Sequence, residues 1–185
     1  MNKFKEQYIK EVVPALMKKF GFKNKMMAPN LKKVVINVGL GASLKDKEFV
    51  DAVKQTVAKI SGQRPVETLA RQSISNFKIR IGQAVGVMVT LRGARMWDFL
   101  EKLVKVTLPR VRDFRGVSAN SFDDHGNYAL GLKEYVAFPE IRQDEADRMH
   151  GLEICISTTA KNKEQGRALL RALGFPFKAE DKDNK

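Results

Sequence analysis

The sequence predicts an α+β protein: a mostly antiparallel sheet with helices packed on one face, ferredoxin-like in character, and the other face of the sheet left open. Three observations lead there. Residues 84–92 alternate strictly, with Val85, Val87, Val89 and Leu91 on one side and Gly86, Met88, Thr90 and Arg92 on the other, the pattern of a half-buried strand. Phe49, Val50, Val53, Val57 and Ile60 recur at helical spacing and form one apolar stripe. These patterns follow one another twice as strand, helix, strand, and that series gives an α+β sandwich with its helices on one side.

Taken in order, Phe4, Tyr8, Val12, Leu16 and Phe20 recur every four residues and mark an amphipathic helix, with Lys3, Lys5, Lys10, Lys18 and Lys19 on its other face. Pro14 should kink or break it, and Gly21 fits its stop. A basic connection over 22–30 leads to a strand over 31–38. If Val34, Ile36 and Val38 point to the core, Val35 and Asn37 point the other way. Gly39, Leu40 and Gly41 have the look of a dinucleotide loop, but Leu44 stands where the third glycine belongs. They are better read as a tight turn, with Ser43 and Asp46 as an imperfect capping box for the helix that runs to about Ile60.

Residues 61–65 stop that helix, and 65–69 form a short strand. Residues 71–83 show neither alternation nor a helical stripe and are read as a protruding basic loop. After the strand 84–92, Gly93 introduces a helix with Met96, Phe99, Leu100, Leu103 and Thr107 facing in. Residues 108–116 carry Arg110, Arg112 and Arg115 around Pro109 and Phe114, a short helical turn followed by irregular chain. Asp123 to Asn127 signal a turn, and 128–135 the strand after it. Residues 143–150 suggest a short charged helix or loop, and 152–158 an apolar strand in which Cys155, the single cysteine, reads as a small buried core residue. Asn162 with Gln165 caps the last helix, Leu169, Leu170 and Leu173 are its apolar side, and Gly174 and Pro176 close it. The expectation is a single domain over 1–178 and a frayed tail over 179–185.

Charge narrows the function. The chain of 185 residues carries a formal charge of +13, and its distribution is lopsided. Residues 1–33 hold nine basic and two acidic side chains, 71–115 ten and three, whereas 116–185 hold ten and twelve. From Thr68 to Trp97 there is no Asp or Glu at all, while Arg71, Lys78, Arg80, Arg92 and Arg95 are interleaved with Gln72, Ser73, Ser75, Asn76 and Gln83 and with Phe77. Such a mixture bonds phosphates, reaches base edges and stacks on a base, so the expected partner is nucleic acid. The open sheet face, where Asn37, Thr90 and Arg92 project, would then be a polar, basic surface for RNA. No apolar run approaches the ~20 residues of a membrane span, and the basic N-terminus lacks the apolar core of a signal peptide. The expectation is a cytosolic protein with no membrane partner.

Several motifs in fixed order carry a family resemblance: RQSISNFKIRIGQAVGVMVTLRG at 71–93, LPRVRDFRG at 108–116, SFDDHGNYALGLKE at 121–134, FPEI at 138–141 and TTAKNKEQGRALLRALGFPF at 158–177. From about residue 3 to 177 the chain resembles the bacterial form of the large-ribosomal-subunit protein that binds 5S ribosomal RNA, the universal "L five" family. The resemblance implies an α+β domain whose open sheet face and neighbouring loops bind 5S rRNA, attaching it to large-subunit rRNA in the central protuberance, and a basic loop that reaches P-site tRNA. It implies Asn37, Gln63 and Thr90, with Arg92 beside them, as rRNA contacts. It also implies Arg71, Gln72, Ser73, Asn76, Phe77, Lys78 and Arg80 on the tRNA-facing loop, and a contact with a small-subunit head protein. The chain departs from the family pattern at His125, where a basic residue is commoner before the glycine.

No nucleophile elbow, Walker lysine, HExxH or paired CxxC occurs, so neither an enzyme nor a cofactor is expected. The competing reading is a metal-dependent nucleic-acid-processing enzyme using Asp123, Asp124 and His125. With only His125 and His150 in the chain and no ligand spacing around either, a turn is the better account of those residues.

Overall fold

The computed structural model describes residues 3–41, 46–141 and 149–178. Helix α1 is continuous through Lys3–Gln7, Tyr8–Val12 and Val13–Phe20, and α2 spans Lys47–Ser61. Helix α3 runs through Gly93–Lys102, Leu103–Thr107 and Leu108–Arg110, and α4 is Lys163–Ala172. Strands β1 (Leu31–Gly39), β2 (Val66–Leu69), β3 (Ala84–Leu91), β4 (Tyr128–Leu132) and β5 (Leu152–Thr158) form one antiparallel sheet in the order β2-β3-β1-β5-β4. Without β4 this is the β-α-β-β-α-β plan, with the first and third strands side by side at the centre.

The core lies on one side of the sheet. Val34, Ile36 and Val38 of β1, Val87, Val89 and Leu91 of β3, and Ile154 and Ile156 of β5 are all buried. They share one core with Phe49, Val53, Val57 and Ile60 of α2 and with Met96, Phe99, Leu100 and Leu103 of α3. Each such side chain contributes about 1.5–3 kcal/mol on burial. A one-residue slip in register would turn a whole strand inside out, so this face fixes the pairing of all the central strands. Directly opposed residues agree with it: Ile36 faces Val89 and Ile154, and Val34 faces Leu91 and Ile156.

Both long helices contain a π-wound turn, Tyr8–Val12 in α1 and Leu103–Thr107 in α3, and in each case a proline, Pro14 or Pro109, follows two residues later. Proline offers no N–H to the carbonyl four residues back, and its ring crowds that carbonyl. The widened turn absorbs both effects, with Val13 N–H donating to Tyr8 C=O and Leu108 N–H to Leu103 C=O. Helix α1 therefore continues through Pro14 without the expected break. A step of four residues drifts by about 40° on a regular helix, and the wide turn takes part of that drift back. Phe4, Tyr8, Val12 and Leu16 consequently all remain buried. The helix is anchored to α3 by Phe4 and Tyr8 against Trp97, ring centroids 6.2 and 5.3 Å away. The Tyr8 hydroxyl donates to Pro29 C=O at 3.1 Å, and burial pushes its pKa up to about 12.

Some sequence expectations need correction. Strand β4 ends at Leu132, and Tyr135–Ala137 is a 3₁₀ turn, because Tyr135 leaves the ladder to stack on His150. Cys155 is only half-buried and is on the side of the sheet away from the core, since Ile154 and Ile156 take the inward positions. Burial, together with Glu153 beside it, pushes its thiol pKa up, which makes it a poor nucleophile. The cap of α2 is Asp46, whose carboxylate accepts the Phe49 N–H at 3.2 Å; Ser43 and residues 143–148 lie outside the described residues.

His150 is buried between Tyr135, stacked at 4.2 Å, and the edge of Phe49 at 6.3 Å. Burial disfavours the imidazolium and lowers its pKa below the ordinary 6.5. The stability this represents is present above that ordinary value and is lost as the pH falls through the lower folded value. Between roughly pH 7.5 and roughly 5.5 the urea midpoint should fall in the wild type. It should fall less in His150→Phe, which keeps the stack and takes up no proton.

Candidate nucleic-acid interface

The side of the sheet turned away from the helices is bare. Thr90, Val35, Cys155 and Ala129 lie across from one another in one row, and Val66, Met88, Asn37, Glu153 and Gly131 in the next. Strand parity thus brings Asn37 and Thr90 to one face, both half-buried, as the alternation predicts. Gly86 belongs to the same face by parity, and nothing larger fits there: a Cβ would stand 2.7 Å from Thr68 Oγ1 and 3.1 Å from Val38 C=O. The expectation of a basic sheet face is corrected, however. Those two rows contain one charged residue, Glu153, and are otherwise small, polar or apolar. Cations stand at the rim, Lys33 on β1 and Arg92 just past β3, where long side chains reach water without crossing the flat surface.

Gln63, in the turn after α2, is half-buried, and both ends of its amide are engaged within the protein. Its Nε2 donates to Thr90 C=O at 3.2 Å, and its Oε1 accepts from Arg95 Nη1 at 3.4 Å. It is a bracket that holds Arg95 beside the end of β3 rather than a free polar contact. Lys33 joins the site although sequence reasoning does not single it out, and Arg95, one of the cations of the acid-free stretch, is placed at the rim of the sheet. Arg95 lies three residues beyond Arg92 at the start of a helix, where such pairs share a face.

The basic segment leaves the sheet at the other end of β3 and is a hairpin arm rather than an irregular loop. Ala70 N–H donates to Gln83 C=O at 2.8 Å and Gly82 N–H to Ala70 C=O at 2.9 Å. Ile74 and Ile79 exchange both backbone bonds. Two side chains complete it, Ser73 Oγ accepting from Ile81 N–H at 2.9 Å and Gln83 Oε1 from Arg80 N–H at 3.1 Å. Isolated pairs of this kind have no period for the sequence to display. The tip is a 3₁₀ turn, Ser75–Phe77, closed by Lys78 in the left-handed region at φ 54°, which costs a non-glycine residue about 1–2 kcal/mol. Arg71, Gln72, Ser73, Asn76, Phe77, Lys78 and Arg80 are all exposed, and Phe77 is 68% exposed. An aromatic ring offered to water among cations is the arrangement expected of a surface for unpaired bases. Seven steps of about 3.3 Å along β3 put roughly 23 Å between the root of the arm and the Thr90 end.

The nearest acids do not quench these cations. Glu67, on β2, is paired with Lys54, which also holds Asp51 at 3.0 Å; the bonds to Glu67 and then Asp51 raise the Lys54 pKa. Among the described residues no carboxylate lies within ion-pair distance of Arg71, Lys78, Arg80, Arg92 or Arg95.

Asp123 is committed to a turn. Its carboxylate accepts the backbone N–H groups of His125 at 3.0 Å and Asn127 at 2.7 Å, and the Asn127 side-chain amide at 2.7 Å. Desolvation opposes ionisation there, but these bonds outweigh it and lower the pKa. Asp124 and His125 are exposed, and among the described residues no three His, Cys, Asp or Glu side chains come together as metal ligands.

A bare, nearly neutral sheet face with cations at its rim, and an arm of exposed arginine, lysine and phenylalanine beyond it, define a nucleic-acid-docking protein of the open α+β kind. Two family models match the chain: Ribosomal protein L5 over residues 24–80, and the C-terminus of the same ribosomal family over 84–177. The chain belongs to the ribosomal protein L5 family. Similar proteins include the large ribosomal subunit protein uL5 of Symbiobacterium thermophilum, 58% identical over 177 residues, which cover 96% of this chain and 98% of that one. Those named uL5 from Caldanaerobacter subterraneus and Roseiflexus castenholzii are 55% and 54% identical, covering 96% and 95% of this chain and 99% and 98% of theirs. Among the described residues no helix is long and apolar enough to cross a membrane.

The two sides of β3 should respond differently to substitution. Val87→Asp places a carboxylate in the dry core and should cost several kcal/mol, enough to unfold the protein. Asn37→Ala and Thr90→Val, on the open face, should each change stability by no more than about 1 kcal/mol in urea denaturation. Equal losses in all three would contradict the assignment of faces.

Proposed function

We propose that this protein binds 5S rRNA with the open sheet face, helps attach that RNA to large-subunit rRNA in the central protuberance, and contacts P-site tRNA with the arm. At the coarser level, a member of this family is a structural component of the large ribosomal subunit, resides on cytoplasmic ribosomes and is not an enzyme. The observation that carries the finer reading is the bare sheet face bordered by uncompensated cations. Asn37 and Thr90 supply hydrogen bonds on the face, and Arg92 and Arg95 supply charge at its rim. Gln63 acts by holding Arg95 and the Thr90 carbonyl in place. On the arm, Arg71, Lys78 and Arg80 meet phosphates, Phe77 stacks, and Gln72, Ser73 and Asn76 offer polar contacts. In this reading residues 1–178 act as one RNA-binding unit, and a neighbouring small-subunit head protein is a further partner.

Affinity for 5S rRNA should depend steeply on salt. The log–log slope should reach several units, at about 0.7 to 0.9 per phosphate neutralised, and a flat slope would exclude a polyanion partner for this surface. Asn37→Ala and Thr90→Val should each weaken binding by about 1–3 kcal/mol.

Replacing residues 71–82 by a short glycine-serine link should leave the fold and most 5S affinity intact, because the arm's backbone bonds close largely on themselves. Ribosomes carrying the shortened protein should retain P-site tRNA less well in filter binding. Loss of 5S binding on the same replacement would show that arm and face form one site.

A further inference from the structure

Strand β4 is the outermost strand on its side of the sheet, and only part of its outer edge is covered. Backbone groups alternate in direction along an antiparallel strand. Ala129 N–H donates away from β5, to Ser121 C=O at 3.1 Å, so Ala129 and Gly131 turn their backbone groups outward. A short outer strand begins there: Phe122 bridges to Tyr128, and Asp123 N–H donates to Asn127 C=O at 3.0 Å. It goes no further. Among the described residues, Gly131 N–H and C=O have no backbone partner on that side.

The chain after α3 runs opposite this edge and leaves a groove of about 920 Å³. Phe114 and Val136, both half-buried, give it an apolar wall. Arg110, Arg112 and Lys133 are exposed on its rim against one acid, Glu134, and no carboxylate lies within ion-pair distance of them among the described residues. Gly131 has nothing within 4 Å of where a Cβ would stand, so the open face beside this edge is unobstructed.

We propose that this groove receives an extended acidic peptide segment of another protein, which adds to β4 as a sixth strand. Unpaired strand-edge amides are satisfied by main chain, alternate side chains of the added strand meet the apolar wall, and the sign of the rim selects carboxylates. A phosphodiester backbone could use the arginines but would leave the Gly131 groups and the Phe114 wall without partners. A second copy of this chain would bring the exposed Arg110, Arg112 and Lys133 of both copies to one seam, and like charge disfavours that edge-to-edge pairing. This surface lies beyond the RNA contacts proposed above and does not depend on them.

The test is a titration of the full-length ¹⁵N-labelled protein with a short capped peptide alternating Glu and Val, with its Lys–Val counterpart, and with a uridine oligonucleotide of similar length. The Glu–Val peptide should shift the Gly131 and Lys133 amides, slow hydrogen exchange at Gly131 and bind less tightly as salt is raised. Arg110→Glu with Arg112→Glu should weaken it roughly tenfold or more at an unchanged thermal midpoint. Should that double variant fold poorly, Arg112→Gln should still weaken binding measurably. Equal binding of the Lys–Val peptide overturns the charge argument. Shifts at Gly131 caused by the oligonucleotide and not by the peptide make the groove a nucleic-acid site, and no shift with any of the three shows the edge to be simply solvated; either result overturns the proposal.

Discussion

Every aliphatic residue that the central strands bury points the same way. Val34, Ile36 and Val38, Val87, Val89 and Leu91, and Ile154 and Ile156 meet α2 and α3 on one side of the sheet. The alternation that puts these side chains in the dry interior necessarily delivers Val35, Asn37, Met88, Thr90 and Cys155 to the other side. The open face is therefore a by-product of core packing. Its residues are held in register by hydrophobic burial that they take no part in, and they can be replaced without touching the core.

This is why the fold and the face could be read from the sequence. Period-two alternation over 84–92 and the stripe Phe49, Val53, Val57 and Ile60 are direct images of burial, and burial is what the structure shows at those positions. What could not be read depends on single, non-periodic interactions. The arm is built from a few isolated backbone pairs and from Ser73 and Gln83, whose roles no spacing announces. Gln63 looks like one more exposed polar residue until its amide is found bridging Thr90 C=O and Arg95. Cys155 departs from the expected burial for a simpler reason. An apolar neighbourhood in sequence does not make a residue inward-facing when both its neighbours already are.

The prolines illustrate how local cost is contained. Pro14 and Pro109 each lie just beyond a π-wound turn, and in both helices the apolar residues on either side of that turn stay buried. A break at Pro14 would detach the half of α1 that carries Phe4 and Tyr8 from Trp97. Widening one turn forgoes some regular helix bonding but keeps two aromatic contacts, and contacts of that size outweigh the irregularity.

Strand β3 has the arm at one end and the Thr90, Arg92 and Arg95 group at the other, with its interior fixed by the three core residues Val87, Val89 and Leu91. A paired strand locked in this way can neither stretch nor slide, so it works as a ruler. Two bodies gripped at its ends are held a set number of peptide units apart, and a movement of one is passed to the other as a displacement of the whole sheet rather than taken up by a flexible joint.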